Sequence, residues 1–137
     1  MPDEISAGIV LFREDSDKKM FLLLHYPSGH WDFIKGRIEK NELPKQAAIR
    51  ESGEETGIID IEFIEGFEEK IRYSYQFDGK TIRKEVVFFL AKTKTSDVKI
   101  SHEHSNYIWL EFNEALQKTT YQNAKNLLIK SKKLVFG

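Results

Sequence analysis

Hydrophobic and polar residues alternate along this chain in runs that predict several strands. Two of these runs flank the polar segment DSDKK and predict a β-hairpin. Asp78-Gly79 is a strong turn dipeptide, and the apolar run VVFFL that follows it predicts a strand buried on both faces. The predicted strands cover residues 5–13, 20–26, 31–34, 61–77 (long or bent), 81–92 and 107–111.

Helical spacing appears in three other segments. The first helix is expected to begin at Pro44, which tolerates a missing N–H, and to end at Gly57. The others are expected over 113–117 and 121–134, and the last carries an apolar stripe of Ala124, Leu127, Leu128 and Leu134. Periodicity therefore predicts an α+β fold.

Composition limits the classes of protein to consider. A chain of 137 residues predicts one domain, 1–137, with 40% apolar and 31% charged residues. The net charge of −1 provides no overall basic field for nucleic acid or membrane. There is no cysteine, no signal-like N-terminus and no apolar run of membrane-spanning length. A cytoplasmic protein without membrane association is expected, and nothing identifies a protein partner.

The segment 36–58 contains seven residues in the spacing G-x5-E-x7-R-E-x2-E-E-x-G. Such a pattern arises by chance in roughly one window in 10^8. On a helix, Glu51, Glu54 and Glu55 share one face, where their like charges repel. An anionic cluster of this kind suits a hard divalent cation such as Mg2+. The seven residues are Gly36, Glu42, Arg50, Glu51, Glu54, Glu55 and Gly57.

A phosphate chain is a chemically consistent substrate for such a cluster. A divalent cation neutralises a pyrophosphate linkage and lowers the pKa of a coordinated water, and a nearby carboxylate can accept the proton. Gly36 permits close backbone approach, so its carbonyl can reach the metal. Arg50 is expected to hold a glutamate by a bidentate pair.

This spacing resembles the Nudix box of hydrolases that cleave nucleoside diphosphates linked to another group. The resemblance implies an α/β/α sandwich with a mixed central sheet. It assigns Glu51, Glu54 and Glu55 to the metal, Arg50 to an orienting role and Glu42 to a supporting role. Ser52 departs from the pattern, because the family generally has a bulky apolar residue there. A small hydroxyl residue also occurs in the branch that hydrolyses dinucleoside polyphosphates.

Two further segments resemble the diadenosine tetraphosphate hydrolases. One is IEGFEEKIRYSY, which contains Tyr73, and the other is SHEH, which contains Glu103. In that branch the glutamate supplies a metal ligand or a base from outside the box. Tyr73 and Lys84 are expected to contact phosphate or nucleoside, although a tyrosine in a strand is also common for packing alone.

Side chains before the box helix add cations and rings. Lys35 and Arg37 suit phosphate oxygens, and His30 and Trp31 place rings beside them. The region of these four side chains is called the mouth below. Trp31 could equally belong to the core, and the two cations could be solvated strand-edge charges. Ile34 stands where many related sequences have proline.

The resemblance implies Mg2+-dependent hydrolysis of diadenosine tetraphosphate to ATP and AMP, with Mn2+ as a substitute ion. The same machinery could remove pyrophosphate from RNA 5′ ends, or cleave diphosphoinositol phosphates or other small nucleotides. The near-neutral charge disfavours a long RNA ligand. A different class is a silent nucleotide sensor, but such proteins typically lose box carboxylates. All four are present here.

Overall fold

The computed structural model describes residues 2–135, in which seven strands form one sheet between helices. The helices are α1 (Pro44–Thr56), α2 (Phe112–Lys118) and α3 (Gln122–Val135). None of the described helices is long and apolar enough to cross a bilayer. The strands are β1 (Glu4–Asp15), β2 (Lys18–His25), β3 (Trp31–Asp32), β4 (Ile34–Arg37), β5 (Glu62–Phe77), β6 (Lys80–Lys92) and β7 (Asn106–Leu110).

Strand β1 lies at the centre of the sheet. The strand order is β3-β2-β1-β6-β5, with β4 also paired to β1 and β7 to β2. The predicted β1–β2 hairpin is confirmed, with Phe12 opposite Phe21. Only the β1–β6 pairing is parallel among the described strands, from Glu4 opposite Lys84 to Phe12 opposite Lys92. The sheet is therefore mixed, as predicted.

Side chains that alternate along β6 fill two separate cores. Val86, Phe88 and Leu90 pack towards α2 and α3, while Val87 and Phe89 pack towards α1. All five are buried, which confirms the prediction for VVFFL. Because helices cover both faces of the sheet, the predicted α/β/α sandwich is confirmed.

The apolar stripe of α3 is shorter than predicted. Ala124, Leu127 and Leu128 are buried, but Leu134 is 43% exposed. Leu134 lies against Gly66 in the irregular part of β5. Because Gly66 has no side chain, it covers Leu134 only partly.

The long hairpin formed by β5 and β6 has the predicted turn. Asp78 and Gly79 both have positive φ, 51° and 74°, as a type I′ two-residue turn requires. The pairing of β5 is irregular between Phe63 and Glu68, and Gly66 in this stretch has φ 89°. The prediction of one long or bent strand is confirmed.

Candidate active site

Helix α1 starts and ends where the sequence predicts. Pro44 is its first residue, and the N–H of Leu43 donates to Gln46 Oε1 at 2.8 Å. At the other end Gly57 adopts a left-handed conformation with φ 79°, and its N–H donates to the Gly53 carbonyl at 3.0 Å. Both predicted ends of the helix are therefore confirmed.

Arg50 makes hydrogen bonds to several parts of the box. Its Nε and Nη2 donate to the two carboxylate oxygens of Glu42 at 2.8 and 3.1 Å, which is a bidentate pair. Nη1 donates to Glu51 at 2.8 Å and to Glu54 Oε2 at 3.0 Å. Nη2 also donates to the carbonyl of Arg37 at 2.8 Å. Arg50 therefore connects the loop, the end of β4 and the helix, and these bonds, chiefly that to Glu42, raise its pKa.

Glu51 lies directly against Gly36 of β4. A Cβ atom at position 36 would lie 2.0 Å from Cδ of Glu51 and 2.2 Å from its Oε2. Real Cβ atoms do not approach other atoms so closely, so this carboxylate position requires glycine in the strand. The close approach expected at Gly36 is thus made by a side chain of the box.

Glu55 is the buried member of the carboxylate group. Its Oε1 lies 3.5 Å from Nε2 of His104, and neither atom has a hydrogen-bond partner among residues 2–135. Burial, the Glu51 carboxylate and, to a lesser degree, Glu103 raise the pKa of Glu55 well above its usual value. The pKa of His104 is lowered by burial. A carboxylate held dry beside other carboxylates is a strong site for positive charge.

The loop that carries Glu103 is fixed against the end of α1. The N–H of Ser101 donates to the Glu55 carbonyl at 3.1 Å, and Ser101 Oγ lies 3.2 Å from Nδ1 of His104. The ring of Tyr26 meets the His104 ring at 4.6 Å, edge to face. Glu103 itself is exposed. The fold therefore brings the SHEH segment and the box together.

The box carboxylates do not form a complete metal-binding site by themselves. Within residues 2–135 no three histidine, aspartate or glutamate side chains lie close enough to hold a metal ion as they stand. Arg50 bonds both Glu51 and Glu54 through the same nitrogen, Nη1. The donors nevertheless fit a hard divalent cation, because they are carboxylate oxygens and Glu55 Oε1 is buried without a partner.

The two cations that precede the box helix already have carboxylate partners. Lys35 Nζ donates to Asp32 Oδ2 at 3.1 Å in a partly buried pair. Burial acts to lower the pKa of Lys35, but Asp32 raises it above its usual value. Arg37 pairs with Glu4 and remains largely exposed. Lys35 is therefore not a solvated strand-edge charge.

The two rings at the mouth make different contacts. The His30 ring stacks on Tyr26, with centroids 4.7 Å apart and planes 5° apart. Trp31 stacks on His25 at 4.5 Å, and Lys118 Nζ lies 4.7 Å from the Trp31 ring centroid. Trp31 also packs against the core that α2 and α3 cover. Its position favours a packing role over a free stacking surface.

Tyr73 and Lys84 face each other across β5 and β6. Lys84 Nζ lies 6.0 Å from the Tyr73 ring centroid. Tyr121, which sequence reasoning missed, lies before α3 with an exposed ring 5.3 Å from that of His30. No motif in the sequence around Tyr121 indicated this position. Tyr121 lies near the mouth because of the way α3 packs.

Ser52 is fully buried, and its hydroxyl has a defined role. Ser52 Oγ donates to the carbonyl of Ile58 at 2.8 Å, just beyond the end of α1. Thr56 Oγ1 donates to the Ser52 carbonyl at 2.7 Å and accepts the Ile58 N–H at 3.1 Å. The small hydroxyl residue therefore ties the helix end to the following chain.

Ser52→Ala is expected to lower the free energy of unfolding by about 1–2 kcal/mol, because the buried Ile58 carbonyl loses its donor. Urea unfolding monitored by circular dichroism measures this change. Ser74→Ala, at an exposed serine, serves as the control and should change the free energy by less than about 0.5 kcal/mol. Equal stability of both variants would show that the Ser52 hydroxyl contributes nothing.

Comparison with known proteins identifies the family. The Nudix domain profile matches residues 2–130. The chain is 35% identical to the asymmetrical bis(5′-nucleosyl)-tetraphosphatase of Caenorhabditis elegans, with 96% of each chain covered. A crystal structure of a C. elegans Ap4A hydrolase binary complex matches with a TM-score of 0.86 and 36% identity, covering 98% of each chain. An RNA pyrophosphohydrolase of Sulfurovum sp. is 29% identical, with 87% of this chain and 83% of that protein covered. The chain belongs to the Nudix family.

Proposed function

We propose that this protein is a cytoplasmic enzyme that hydrolyses diadenosine tetraphosphate asymmetrically to ATP and AMP. The observation that carries the proposal is the arrangement of α1, in which Arg50 aligns the box glutamates while Glu55 meets the Glu103 loop. The similarity to the C. elegans tetraphosphatase over almost the whole chain supports this substrate class.

Glu51, Glu54 and Glu55 would hold Mg2+, with the Gly36 carbonyl and Glu103 as further oxygen donors. Mn2+ would substitute, because it also accepts oxygen ligands. When bound, the divalent ion neutralises the polyphosphate charge and lowers the pKa of water. Arg50 would keep Glu51 and Glu54 in place before the ion binds, which limits the reorganisation that binding requires.

The remaining residues of the mouth would bind and orient the substrate. Lys35, kept charged by Asp32, would contact a phosphate, as would Arg37 and Lys84. Tyr73 and His30 would contact the nucleoside or phosphate, and Trp31 would support this wall through its packing. These side chains would hold the phosphate chain so that water attacks one phosphorus in line with the leaving oxygen.

A carboxylate must accept the proton of the attacking water. Glu103 is exposed on a loop anchored to Glu55, and it is one candidate for this base. A box glutamate is the other. Unchanged kcat in Glu103→Gln would leave a box glutamate as the base, because loss of a general base lowers kcat by about 10^2–10^4.

Hydrolysis at an RNA 5′ end is the second candidate function. The similarity to the Sulfurovum RNA pyrophosphohydrolase favours it, although the identity is lower than that to the tetraphosphatase. Both reactions cleave a phosphoanhydride and would use the same carboxylates.

The test is cleavage of diadenosine tetraphosphate with Mg2+ in H2(18)O, with the products resolved by mass spectrometry. The expected products are ATP and AMP with the heavy oxygen in only one of them, which identifies the attacked phosphorus. If only triphosphorylated RNA is cleaved, the Nudix chemistry is supported and the RNA 5′ end replaces diadenosine tetraphosphate as the proposed substrate. No cleavage of either would contradict the proposed enzyme activity.

A further inference from the structure

The hairpin of β5 and β6 projects beyond the rest of the sheet. The pairing of β1 with β6 begins at Glu4 opposite Lys84, and just before it the N–H of Asp3 donates to the Arg83 carbonyl at 2.8 Å, so residues 80–82 lie outside these contacts. The projecting part, residues 73–84, is called the ribbon below. Beyond Arg83 its strands pair only with each other, among the strands of residues 2–135. The ribbon starts at Tyr73 and Lys84, beside the proposed mouth.

One face of the ribbon carries a row of aromatic rings. Tyr73, Tyr75 and Phe77 occupy alternate positions of β5 and therefore point to the same side. They are 36%, 37% and 68% exposed, in order towards the tip. Alternate residues of a strand lie about 7 Å apart, so the row continues for about 13 Å from Tyr73. This face is called the aromatic face below.

The aromatic face is continuous with the catalytic mouth. Lys35 lies opposite Gly8, and Gly8 lies opposite Phe88 on β6. Phe88 and Lys84 stand at alternate positions of β6, so Lys84 and Lys35 point to the same side of the sheet. Lys84 in turn lies opposite Tyr73. A chain that leaves the mouth past Lys84 therefore reaches the aromatic rings first.

The ribbon carries a net positive charge. Residues 73–84 hold three cationic side chains and one carboxylate, a formal charge of +2 in a chain whose net charge is −1. Arg72 pairs with Glu85 and Arg83 with Asp3. Lys80 and Lys84 lie opposite Phe77 and Tyr73, and neither has an ion-pair partner among residues 2–135. The aromatic face therefore carries two lysines, Lys80 and Lys84, beside its rings.

Rings interleaved with cations match the chemistry of a single nucleotide chain. Bases stack on aromatic side chains whatever their identity, and lysines contact the backbone phosphates. Tyr75 is held in place by its hydroxyl, which donates to Glu4 Oε2 at 2.9 Å. A second copy of the chain would cover apolar rings equally well, but the unpaired lysines of one copy would then meet those of the other.

We propose that the aromatic face binds the first nucleotides of a single-stranded oligonucleotide whose 5′-polyphosphate enters the active site. This inference rests on the proposed function for the polyphosphate end, while the ribbon itself supplies the contacts to the chain that follows. It predicts that an oligonucleotide with a 5′-triphosphate binds more tightly than a mononucleoside triphosphate.

Fluorescence anisotropy tests the proposal with the full-length protein. The probe is a short oligoribonucleotide with a 5′-triphosphate and a 3′ fluorophore, in EDTA so that it is not cleaved. Phe77→Ala should raise the Kd of this probe between about fivefold and a hundredfold, which is the effect of losing one base–aromatic stack. Phe77→Tyr keeps a ring at the tip and should bind like the wild type.

Three further measurements separate the effect of stacking from other effects. Ile59→Ala removes an equally exposed apolar side chain away from the ribbon and should leave the Kd unchanged. Lys80→Ala should weaken binding and reduce its dependence on salt. The kcat/KM of Phe77→Ala with diadenosine tetraphosphate should equal that of the wild type, because that substrate has no chain to reach Phe77.

The outcomes distinguish this inference from the proposed function. If Phe77→Ala binds the probe as the wild type does, or if the probe binds no better than ATP, the aromatic face has no such role. A wild-type dimer that Phe77→Ala dissociates in sedimentation velocity would likewise overturn the proposal. Another outcome is probe binding that depends on Phe77 in a protein that cleaves no diadenosine tetraphosphate. That result would support the binding role of the ribbon and reject only the proposed substrate.

Discussion

Glu55→Gln is expected to lower kcat by about a thousandfold or more while the fold stays at least as stable as the wild type. The loss of rate follows from replacing a buried oxygen donor of the proposed cation site by an amide. The retained stability follows from the surroundings of Glu55, whose pKa burial and Glu51 raise. A neutral amide avoids the cost of a buried negative charge.

The stability difference between this variant and the wild type should grow with pH. In the absence of divalent cations, the unfolded chain releases the Glu55 proton at a lower pH than the folded protein does. The wild type therefore loses stability as pH rises between these two pKa values, and the glutamine variant lacks that loss. Urea unfolding in EDTA at about pH 5 and pH 8 measures the difference, which should be larger at the higher pH.

Two other glutamates provide the comparison for Glu55. Glu54→Gln should also lower kcat strongly, but without a change in stability, because Glu54 is exposed. Glu39 lies 3.6 Å from Arg50 yet outside α1, and Glu39→Gln should keep the wild-type kcat. Wild-type turnover in both Glu54→Gln and Glu55→Gln would remove the box carboxylates from the mechanism.

Gly36→Ala is expected to lower kcat by about a hundredfold or more with little loss of stability. A Cβ atom at this position would lie 2.0 Å from the carboxyl carbon of Glu51, so that carboxylate must move. It is the end of a flexible side chain, and the backbone of Gly36 has no positive φ, so the strand can accept alanine. Movement of Glu51 would break its 2.8 Å bond to Arg50 and disturb the proposed cation site.

Gly53→Ala is the matched control for this change. Gly53 is also in the box segment, but a Cβ there would meet only Ile59 Cγ2, at 3.2 Å, and Ile59 is exposed and free to shift. Alanine at Gly53 should therefore leave kcat unchanged and increase stability by up to about 1 kcal/mol. Steady-state kinetics and urea unfolding of both variants measure these effects. Normal kcat in Gly36→Ala would show that the close contact with Glu51 is dispensable.

Local patterns in the sequence determined much of this structure. Pro44 and Gly57 bound α1 because each has a backbone preference that acts within one turn. Asp78 and Gly79 turn the hairpin for the same kind of local reason. The spacing of the glutamates placed them along one side of a helix, although it did not indicate that Glu55 is buried and Glu54 exposed.

Contacts between distant segments could not be predicted in this way. The contact of Glu55 with His104 depends on the path of the loop that carries His104. The placement of Tyr121 beside His30 depends on how α3 packs. Net charge was equally uninformative about the ribbon, because acidic residues elsewhere balance its cations.

The parallel pairing of β1 with β6 has a consequence for how the protein is made. Paired residues such as Glu4 and Lys84 are separated by most of the chain, so the centre of the sheet closes only after about two thirds of it has been synthesised. Until then, one edge of a strongly apolar strand remains open on the ribosome. Nascent chains that stop before Lys92 should therefore be prone to aggregation and dependent on chaperones.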